Sequence, residues 1–157
     1  MNQVRRAEQR DIPAIMKLLV QVDMVHHKGR PDLFKGPATK YTQTQLGEIL
    51  RNEETPVFVC TDESGQVLGH ALCIFKQEKN DNILTDIKTL YIDDICVDEA
   101  CRGQGVGRTL YDHVTAFARE QGCYNATLNV WALNQGALAF YERCGMSRQK
   151  IGMEILL

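Results

Sequence analysis

Residues 90–107 read Leu-Tyr-Ile-Asp-Asp-Ile-Cys-Val-Asp-Glu-Ala-Cys-Arg-Gly-Gln-Gly-Val-Gly. A β-prone run (90–97) leads through a short turn into a loop of the form Arg-x-x-Gly-x-Gly, and an amphipathic helix follows directly. The loop glycines lack Cβ, so the backbone can turn sharply and bring consecutive N–H groups close to a ligand oxygen. The helix N-terminus adds partial positive charge, and Arg102 and Arg108 flank the loop. The stretch therefore predicts a site for a phosphate or diphosphate group.

Two common glycine-rich phosphate fingerprints do not fit this loop. A dinucleotide fingerprint that started at Gly103 and Gly105 would need a third glycine where the chain has Arg108. A Walker loop that ended at Gly107 would need glycine in place of Arg102 and lysine in place of Arg108. The loop therefore belongs to a different phosphate-binding motif, or it is only a tight connection between a strand and a helix.

Three segments resemble the GNAT superfamily of N-acyltransferases. Residues 102–107 are similar to its acyl-CoA diphosphate loop, and the strand before them resembles its splayed strand, whose backbone pairs with the pantetheine amides. Residues 134–145, Asn-Gln-Gly-Ala-Leu-Ala-Phe-Tyr-Glu-Arg-Cys-Gly, resemble the helix beside the pantetheine arm. The resemblance implies that acetyl-CoA binds at the following residues: Ile95, Cys96, Val97, Arg102, Gly103, Gln104, Gly105, Val106, Gly107, Arg108, Asn134, Ala137, Phe140 and Tyr141.

The resemblance also implies the fold, which is α/β: a GNAT-like single domain with a central mixed, mostly antiparallel sheet of six to seven strands, splayed at the cofactor strand, and about four helices. The alternation of strand-like and helix-like patterns agrees with this class. We predict helices that begin near residues 12, 42, 106 and 135, and a loop at 25–38 near the acceptor site. The predicted strands are 4–7, 56–61, 67–75, 90–97, 127–131 and 150–157, the last of which closes the sheet.

Composition limits the class of protein. A chain of 157 residues with 44% hydrophobic residues can bury one ordinary core, which predicts a single domain over residues 1–157. The net charge of −2 and the pI near 6.1 argue against a nucleic-acid partner, because phosphate neutralisation needs clustered Lys and Arg. No apolar run approaches the ~20 residues that span a bilayer, and the N-terminus lacks the apolar core of a signal peptide. We therefore expect a cytoplasmic protein without a membrane partner.

No metal site is predicted. The six cysteines include no Cys-x-x-Cys pair, so neither a zinc knuckle nor a redox motif is indicated. His26 and His27 are adjacent, but no carboxylate or cysteine stands at ligand spacing from them. These histidines are therefore interpreted as lying at a helix end or at the substrate rim.

Acyl transfer to an amine needs a base. An alkyl amine has a reference pKa of about 10.4, so at neutral pH it must lose a proton before it can attack a thioester. Asp93 and Asp94 are the candidates, directly or through water. Adjacent strand residues normally face opposite sides, so only one of them would reach the pocket unless a bulge intervenes. In the alternative interpretation, the two carboxylates only keep the end of the strand solvated or form ion pairs with lysine.

The leaving CoA thiolate needs a proton, and the resemblance implies that Tyr141 donates it. A tyrosine, with a reference pKa of about 10, can do so when its hydroxyl reaches the sulfur. In the alternative, Tyr141 is a buried tyrosine whose hydroxyl only finds a backbone partner. A backbone N–H near Val97 would polarise the carbonyl oxygen.

Together these features predict an N-acetyltransferase that transfers the acetyl group of acetyl-CoA to a primary amine by direct attack in a ternary complex. Asp93 and Asp94 favour a cationic small molecule, of the polyamine or amino-sugar class. A peptide or protein N-acetyltransferase is the alternative within the class, and a non-catalytic acyl-CoA-binding sensor is the alternative outside it. By resemblance we also expect a homodimer.

Overall fold

The computed structural model describes residues 1–157 and contains five strands and four α-helices. The strands are β1 (Gln3–Arg6), β2 (Val57–Thr61), β3 (Val67–Gln77), β4 (Lys88–Val97) and β5 (Asn125–Thr127). The α-helices are α1 (Ile12–Gly29), α2 (Gln43–Arg51), α3 (Val106–Glu120) and α4 (Gln135–Arg143). Two short 3₁₀ helices, Gln9–Asp11 and Glu99–Cys101, precede α1 and the glycine-rich loop.

The strands form one sheet in the order β1-β2-β3-β4-β5. The first three pairings are antiparallel, whereas β4 and β5 are parallel. A mixed, mostly antiparallel sheet is thereby confirmed, but the prediction of six to seven strands was wrong. The parallel pairing ends where Tyr91 meets Thr127, so the second half of β4 has no neighbour on that side. For the same reason β5 stops at Thr127, and the prediction of a strand at 127–131 was wrong.

Helices cover both faces of the sheet. On one face, α3 contributes four buried side chains at i, i+4 spacing, which is the pattern of an amphipathic helix: Val106, Leu110, Val114 and Ala118. On the other face, α1 and α2 pack against alternate residues of β2 and β3, in a cluster that contains Ile15, Leu19, Leu46, Val57, Val59 and Leu72. None of the four α-helices combines the length and the apolar composition that a membrane crossing requires.

The first long helix extends further than predicted. It continues to Gly29, so His26 and His27 lie in its last turns rather than in a loop that begins at residue 25. Residues 25–28 contain no glycine or proline, and the helix ends only where Gly29 and then Pro31 interrupt the pattern. The longer helix carries His26 towards the side chains that follow the β4 bulge described below.

Residues 150–157 do not close the sheet, in contrast to the prediction. They form no strand, and all eight side chains are exposed. Alternate positions are apolar, as in a half-buried strand: Ile151, Met153, Ile155 and Leu157. The only ion pair of this segment joins Glu154 to Arg30. The strand-like pattern is therefore present in the sequence, but the segment pairs with no strand of the same chain.

Candidate active site

A β-bulge interrupts β4 at Asp93. Leu72 of β3 lies opposite Asp94, and Cys73 lies opposite Ile92, so Asp93 has no partner on β3. One extra residue of this kind breaks the alternation of side chains along a strand. The rule that sends two adjacent acids to opposite faces therefore does not apply here.

The side chains of β4 change face across the bulge. Before it, Ile92 packs into the cluster under α3. After it, the Sγ of Cys96 donates a hydrogen bond to the backbone oxygen of Leu18 in α1 at 3.3 Å. Asp94 lies opposite Leu72, which packs under α1. Because of the extra residue, Asp94 and Cys96 lie on the α1 side rather than beside Ile92.

Two residues that precede α2 donate hydrogen bonds to the Asp93 carboxylate. Its Oδ1 accepts a hydrogen bond from the Nζ of Lys40 at 2.6 Å, and its Oδ2 accepts one from the hydroxyl of Tyr41 at 2.7 Å. The Asp93 side chain is only 7% exposed. Burial raises the pKa of Tyr41, and the hydrogen bond to Asp93 raises it further. Asp93 is thus paired with a lysine, as the alternative interpretation has it.

Asp94 has one hydrogen-bond partner in the protein, His70. The Oδ2 of Asp94 lies 2.8 Å from the Nε2 of His70, and the His70 side chain is completely buried. A carboxylate only accepts hydrogen bonds, so the Nε2 of His70 must carry a proton. The Nδ1 of the same ring is buried without a partner. The Oδ1 of Asp94 is left free to accept a hydrogen bond from another group.

Tyr141 lies in α4, half-buried between two aromatic rings. Its ring centroid is 5.1 Å from that of Phe140 and 6.4 Å from that of Tyr111. Burial raises the pKa of the Tyr141 hydroxyl, and the negative charge of Asp94 raises it further. The hydroxyl has no hydrogen-bond partner in the protein, in contrast to the alternative in which it bonds the backbone. Tyr141 is therefore a neutral, available proton donor near Asp94.

The glycine-rich loop has the backbone geometry of an anion site. Gly103 and Gly105 both have φ of 79°, in the left-handed region that favours glycine, and Gly105 is the N-cap of α3. The N–H groups in the first turn of α3 have no acceptor within the helix. Arg108 is tied to Asp112 at 2.9 Å, whereas the exposed Arg102 makes no ion pair. Arg102 is therefore the free cation beside these N–H groups.

The start of α3 also approaches α4 closely. A Cβ placed on Gly107 would lie 3.4 Å from the Cζ of Phe140, so the space between this position and α4 is already filled at contact distance. The side chains of Cys96 and Val106 are buried, so only their backbone can face a ligand. Burial raises the pKa of the Cys96 thiol to about 12.

The remaining predicted cofactor residues differ in exposure. Asn134 caps α4, because its side chain accepts a hydrogen bond from the N–H of Ala137 at 3.1 Å. Ile95 and Val97 are half-buried on the part of β4 that has no β5 neighbour, and Gln104 is exposed in the loop. The predicted residues therefore flank one region, between the end of β4, the loop and α4.

An aromatic cluster contains one residue that the sequence suggested for this region and one that it did not. His26, interpreted as lying at a helix end or at the substrate rim, forms the cluster with Phe34 and with Trp131, which was not predicted as a site residue. Phe34 is 4.9 Å from each of the other two rings. Burial lowers the pKa of His26, while the charges of Asp94 and Asp23 act in the opposite direction. The Oδ2 of Asp23 is buried without a partner. Aromatic rings and two carboxylates, those of Asp94 and Asp23, therefore lie around His26.

The sequence contained weak signals for these contacts. Asp23 and His26 are three residues apart and share a helix face once the helix is extended past residue 25. His70 stands out as a polar residue in an otherwise apolar strand run, 67–75. Lys40 and Tyr41 gave no signal, because their contact with β4 depends on the fold. No group of three or more His, Cys, Asp or Glu side chains is arranged to hold a metal ion.

Comparison with known proteins gives consistent matches. A family model described as "Acetyltransferase (GNAT) family" matches residues 22–146. Glucosamine 6-phosphate N-acetyltransferase from Arabidopsis thaliana is 28% identical over 97 residues, which is 54% of this chain and 63% of that protein. Peptidyl-lysine N-acetyltransferase from Escherichia coli is 29% identical over 105 residues, which is 66% of this chain and 58% of that protein. The chain thus spans less than two thirds of the length of either relative.

A solved structure matches over almost the whole chain. The crystal structure of a mutant protein from Bacillus halodurans is 29% identical in sequence, with a TM-score of 0.94 and 99% of each chain covered. The sheet, the glycine-rich loop and the helices described above therefore have counterparts in a crystal structure.

Proposed function

Because the chain belongs to the acetyltransferase (GNAT) family, we propose that it transfers the acetyl group of acetyl-CoA to the primary amine of a cationic small molecule. The observation that carries the acceptor class is the free Oδ1 of Asp94, a carboxylate whose charge acts on His26 of the aromatic cluster that also contains Phe34 and Trp131. A carboxylate attracts an ammonium group, and aromatic faces add a cation–π attraction.

The loop before α3 fits the diphosphate of acetyl-CoA. The left-handed Gly103 and Gly105 turn the backbone, the first turn of α3 supplies free N–H groups, and Arg102 supplies a charge. The pantetheine arm then has backbone partners on Ile95–Val97, where β4 lacks a β5 neighbour. The N-cap residue Asn134 and the α4 residues Ala137 and Phe140 border the same region. The bound co-substrate supplies an activated acetyl group as a thioester.

Asp94 is the base in this proposal. It accepts a proton from the substrate ammonium, after which the amine nitrogen bonds to the acetyl carbon and the carbon–sulfur bond breaks. Asp93 is less suited, because Lys40 neutralises it and both of its oxygens already accept hydrogen bonds. Tyr141, which its raised pKa keeps protonated, donates its proton to the leaving sulfur. The second proton of the attacking nitrogen, which is released as the amide forms, restores the Tyr141 hydroxyl.

The acceptor is tested by mass spectrometry of the products formed from acetyl-CoA with a panel of polyamines, aminoglycosides, amino sugars, amino acids and lysine peptides. Product masses are preferable to a thiol reagent, because the protein has six free cysteines of its own. Turnover of cationic small amines supports the proposal. Acetylation of peptides alone would favour the protein-modifying alternative, and tight acetyl-CoA binding without any product would favour the sensor.

Gly105→Ala is expected to weaken acetyl-CoA binding about tenfold. Its φ of 79° strains any L side chain, by about 1 kcal/mol, and relief of that strain moves the N–H groups that face the phosphates. Gly65→Ala is the matched control, since Gly65 has φ of 87° in the β2–β3 turn and neither glycine has an atom within 4 Å of an added Cβ. Calorimetric titration and thermal unfolding measure the two effects. Equal losses of affinity in both variants would contradict the loop assignment.

We also infer that two copies of the chain associate through the exposed C-terminal segment. Ile151, Met153, Ile155 and Leu157 occupy every second position and are 71% exposed or more, and Leu156 between the last two is also apolar and exposed. An apolar strand pattern without a sheet neighbour favours pairing with another edge, and exchange of an identical segment between two copies closes such an assembly.

Ile155→Asp is therefore expected to convert a dimer to a monomer, measured by light scattering after size-exclusion chromatography. Ile83→Asp is the control, because Ile83 is 90% exposed in the connection between β3 and β4. A wild-type protein that is monomeric over the whole accessible concentration range would contradict the inference. So would a dimer that persists in Ile155→Asp.

A further inference from the structure

His70 is a polar residue in an apolar layer. It lies on β3, two residues before Leu72 and opposite Val59 of β2. Both of these neighbours belong to the cluster under α1 and α2. The ring is completely buried, and its Nδ1 has no hydrogen-bond partner. A buried nitrogen without a partner destabilises the folded state. A leucine at this position would fill the layer without that cost, so packing alone does not explain the histidine.

The single polar contact of His70 is with Asp94. Its Nε2–H donates to Oδ2 at 2.8 Å and leaves Oδ1 as the only oxygen without a partner. The donor is anchored inside the sheet, so it limits how the Asp94 carboxylate, whose side chain is 14% exposed, can rotate.

We propose that His70 is a positioning residue for Asp94: it holds the carboxylate in the orientation from which its free Oδ1 reaches the amine that is acetylated. This inference rests on the proposed function, in which Asp94 is the base. His70 itself touches neither substrate in this account, and it acts only through the carboxylate that it holds.

The other titratable groups around Asp94 contribute little charge near neutral pH. Burial lowers the pKa of His26 and raises the pKa values of Tyr41, Cys96 and Tyr141, so all four favour their neutral forms. The charged groups nearby are Asp23 in α1, Asp93 in β4 and Lys40, which pairs with Asp93. His70 is thus the one hydrogen-bond donor on Asp94 that a substitution can remove.

Two substitutions test the proposal. His70→Leu removes the donor and matches the apolar neighbours, whereas His70→Gln keeps an N–H donor. We expect His70→Leu to unfold at the same or a higher temperature than the wild type. At the same time its kcat for the amine should fall about tenfold, because the base is no longer held in place, while the KM for acetyl-CoA stays unchanged. His70→Gln is expected to restore the wild-type kcat.

The outcomes separate this role from a structural one. A stable His70→Leu with the wild-type kcat overturns the proposal, as does a folded His70→Gln whose kcat stays as low as that of His70→Leu. If His70→Leu does not fold, the kcat of His70→Gln decides, and a tenfold loss in that variant overturns the proposal. The ¹⁵N NMR spectrum of the wild-type ring is a second readout, since a proton on Nδ1 instead of Nε2 would overturn the proposal without any assay. A wild type that acetylates no amine would instead contradict the proposed function.

Discussion

Replacing Tyr141 by phenylalanine is expected to lower kcat about a hundredfold while leaving the affinity for acetyl-CoA unchanged. The substitution removes one hydroxyl that has no hydrogen-bond partner in the protein, so the packing of α4 against Phe140 and Tyr111 should persist. What it removes is the proton for the departing thiolate. Steady-state kinetics and calorimetric titration with CoA measure the two quantities separately.

Tyr111→Phe is the matched control for this experiment. Tyr111 is buried in α3, its ring lies 6.4 Å from that of Tyr141, and burial likewise raises the pKa of its hydroxyl. It should keep most of the wild-type kcat, because Tyr111 has no role in the proposed reaction. Full activity in Tyr141→Phe would exclude Tyr141 as the acid, and equal losses in both variants would point to a packing effect.

Asp94→Asn is expected to lower kcat/KM for the amine by two to three orders of magnitude, about the range of general base catalysis. The amide fills the same space but cannot take a proton. Asp93→Asn is the control on the neighbouring residue, and it should cost less activity because Asp93 is engaged by Lys40 and Tyr41. A larger loss in Asp93→Asn than in Asp94→Asn would reverse the assignment of the base.

The pH dependence gives an independent check of the same substitution. Below a pKa of about 10.4, the fraction of an alkyl amine that is already unprotonated rises about tenfold per pH unit. The gap in kcat/KM between Asp94→Asn and the wild type should therefore narrow as the pH rises, because more of the amine then binds without the proton that the base would remove. A gap that stays constant with pH would mean that Asp94 does not act as the base.

Local chemistry explains which parts of the fold were predictable. The glycine-rich loop and the two helices after it are determined by residues close in sequence: the turn at Gly105, the apolar stripe of α3 and the cap at Asn134. Short-range signals of this kind do not depend on distant partners. These elements lie where the sequence predicts them.

The predictions were wrong or incomplete where contacts between residues far apart in sequence determine the structure. Residues 128–131 and 150–157 have strand-like patterns, but a strand needs a neighbour, and neither segment has one in this chain. The contacts of Asp94 with His70 and of Asp93 with Lys40 and Tyr41 join residues 24 and 52–53 positions apart in sequence. No local pattern encodes such pairs, so the sequence left the choice between the two acids open.

Because of the bulge at Asp93, the number of residues in β4 determines which side chains face the candidate active site. Deleting a single residue between Ile92 and Val97 would return the strand to regular alternation and send the side chains beyond it to the other face. The connection between β3 and β4 is the opposite case, because residues 78–87 are all exposed and such segments tolerate insertions. Variation in length among natural or engineered descendants of this chain should therefore collect in that connection and be absent from the ten residues that follow it.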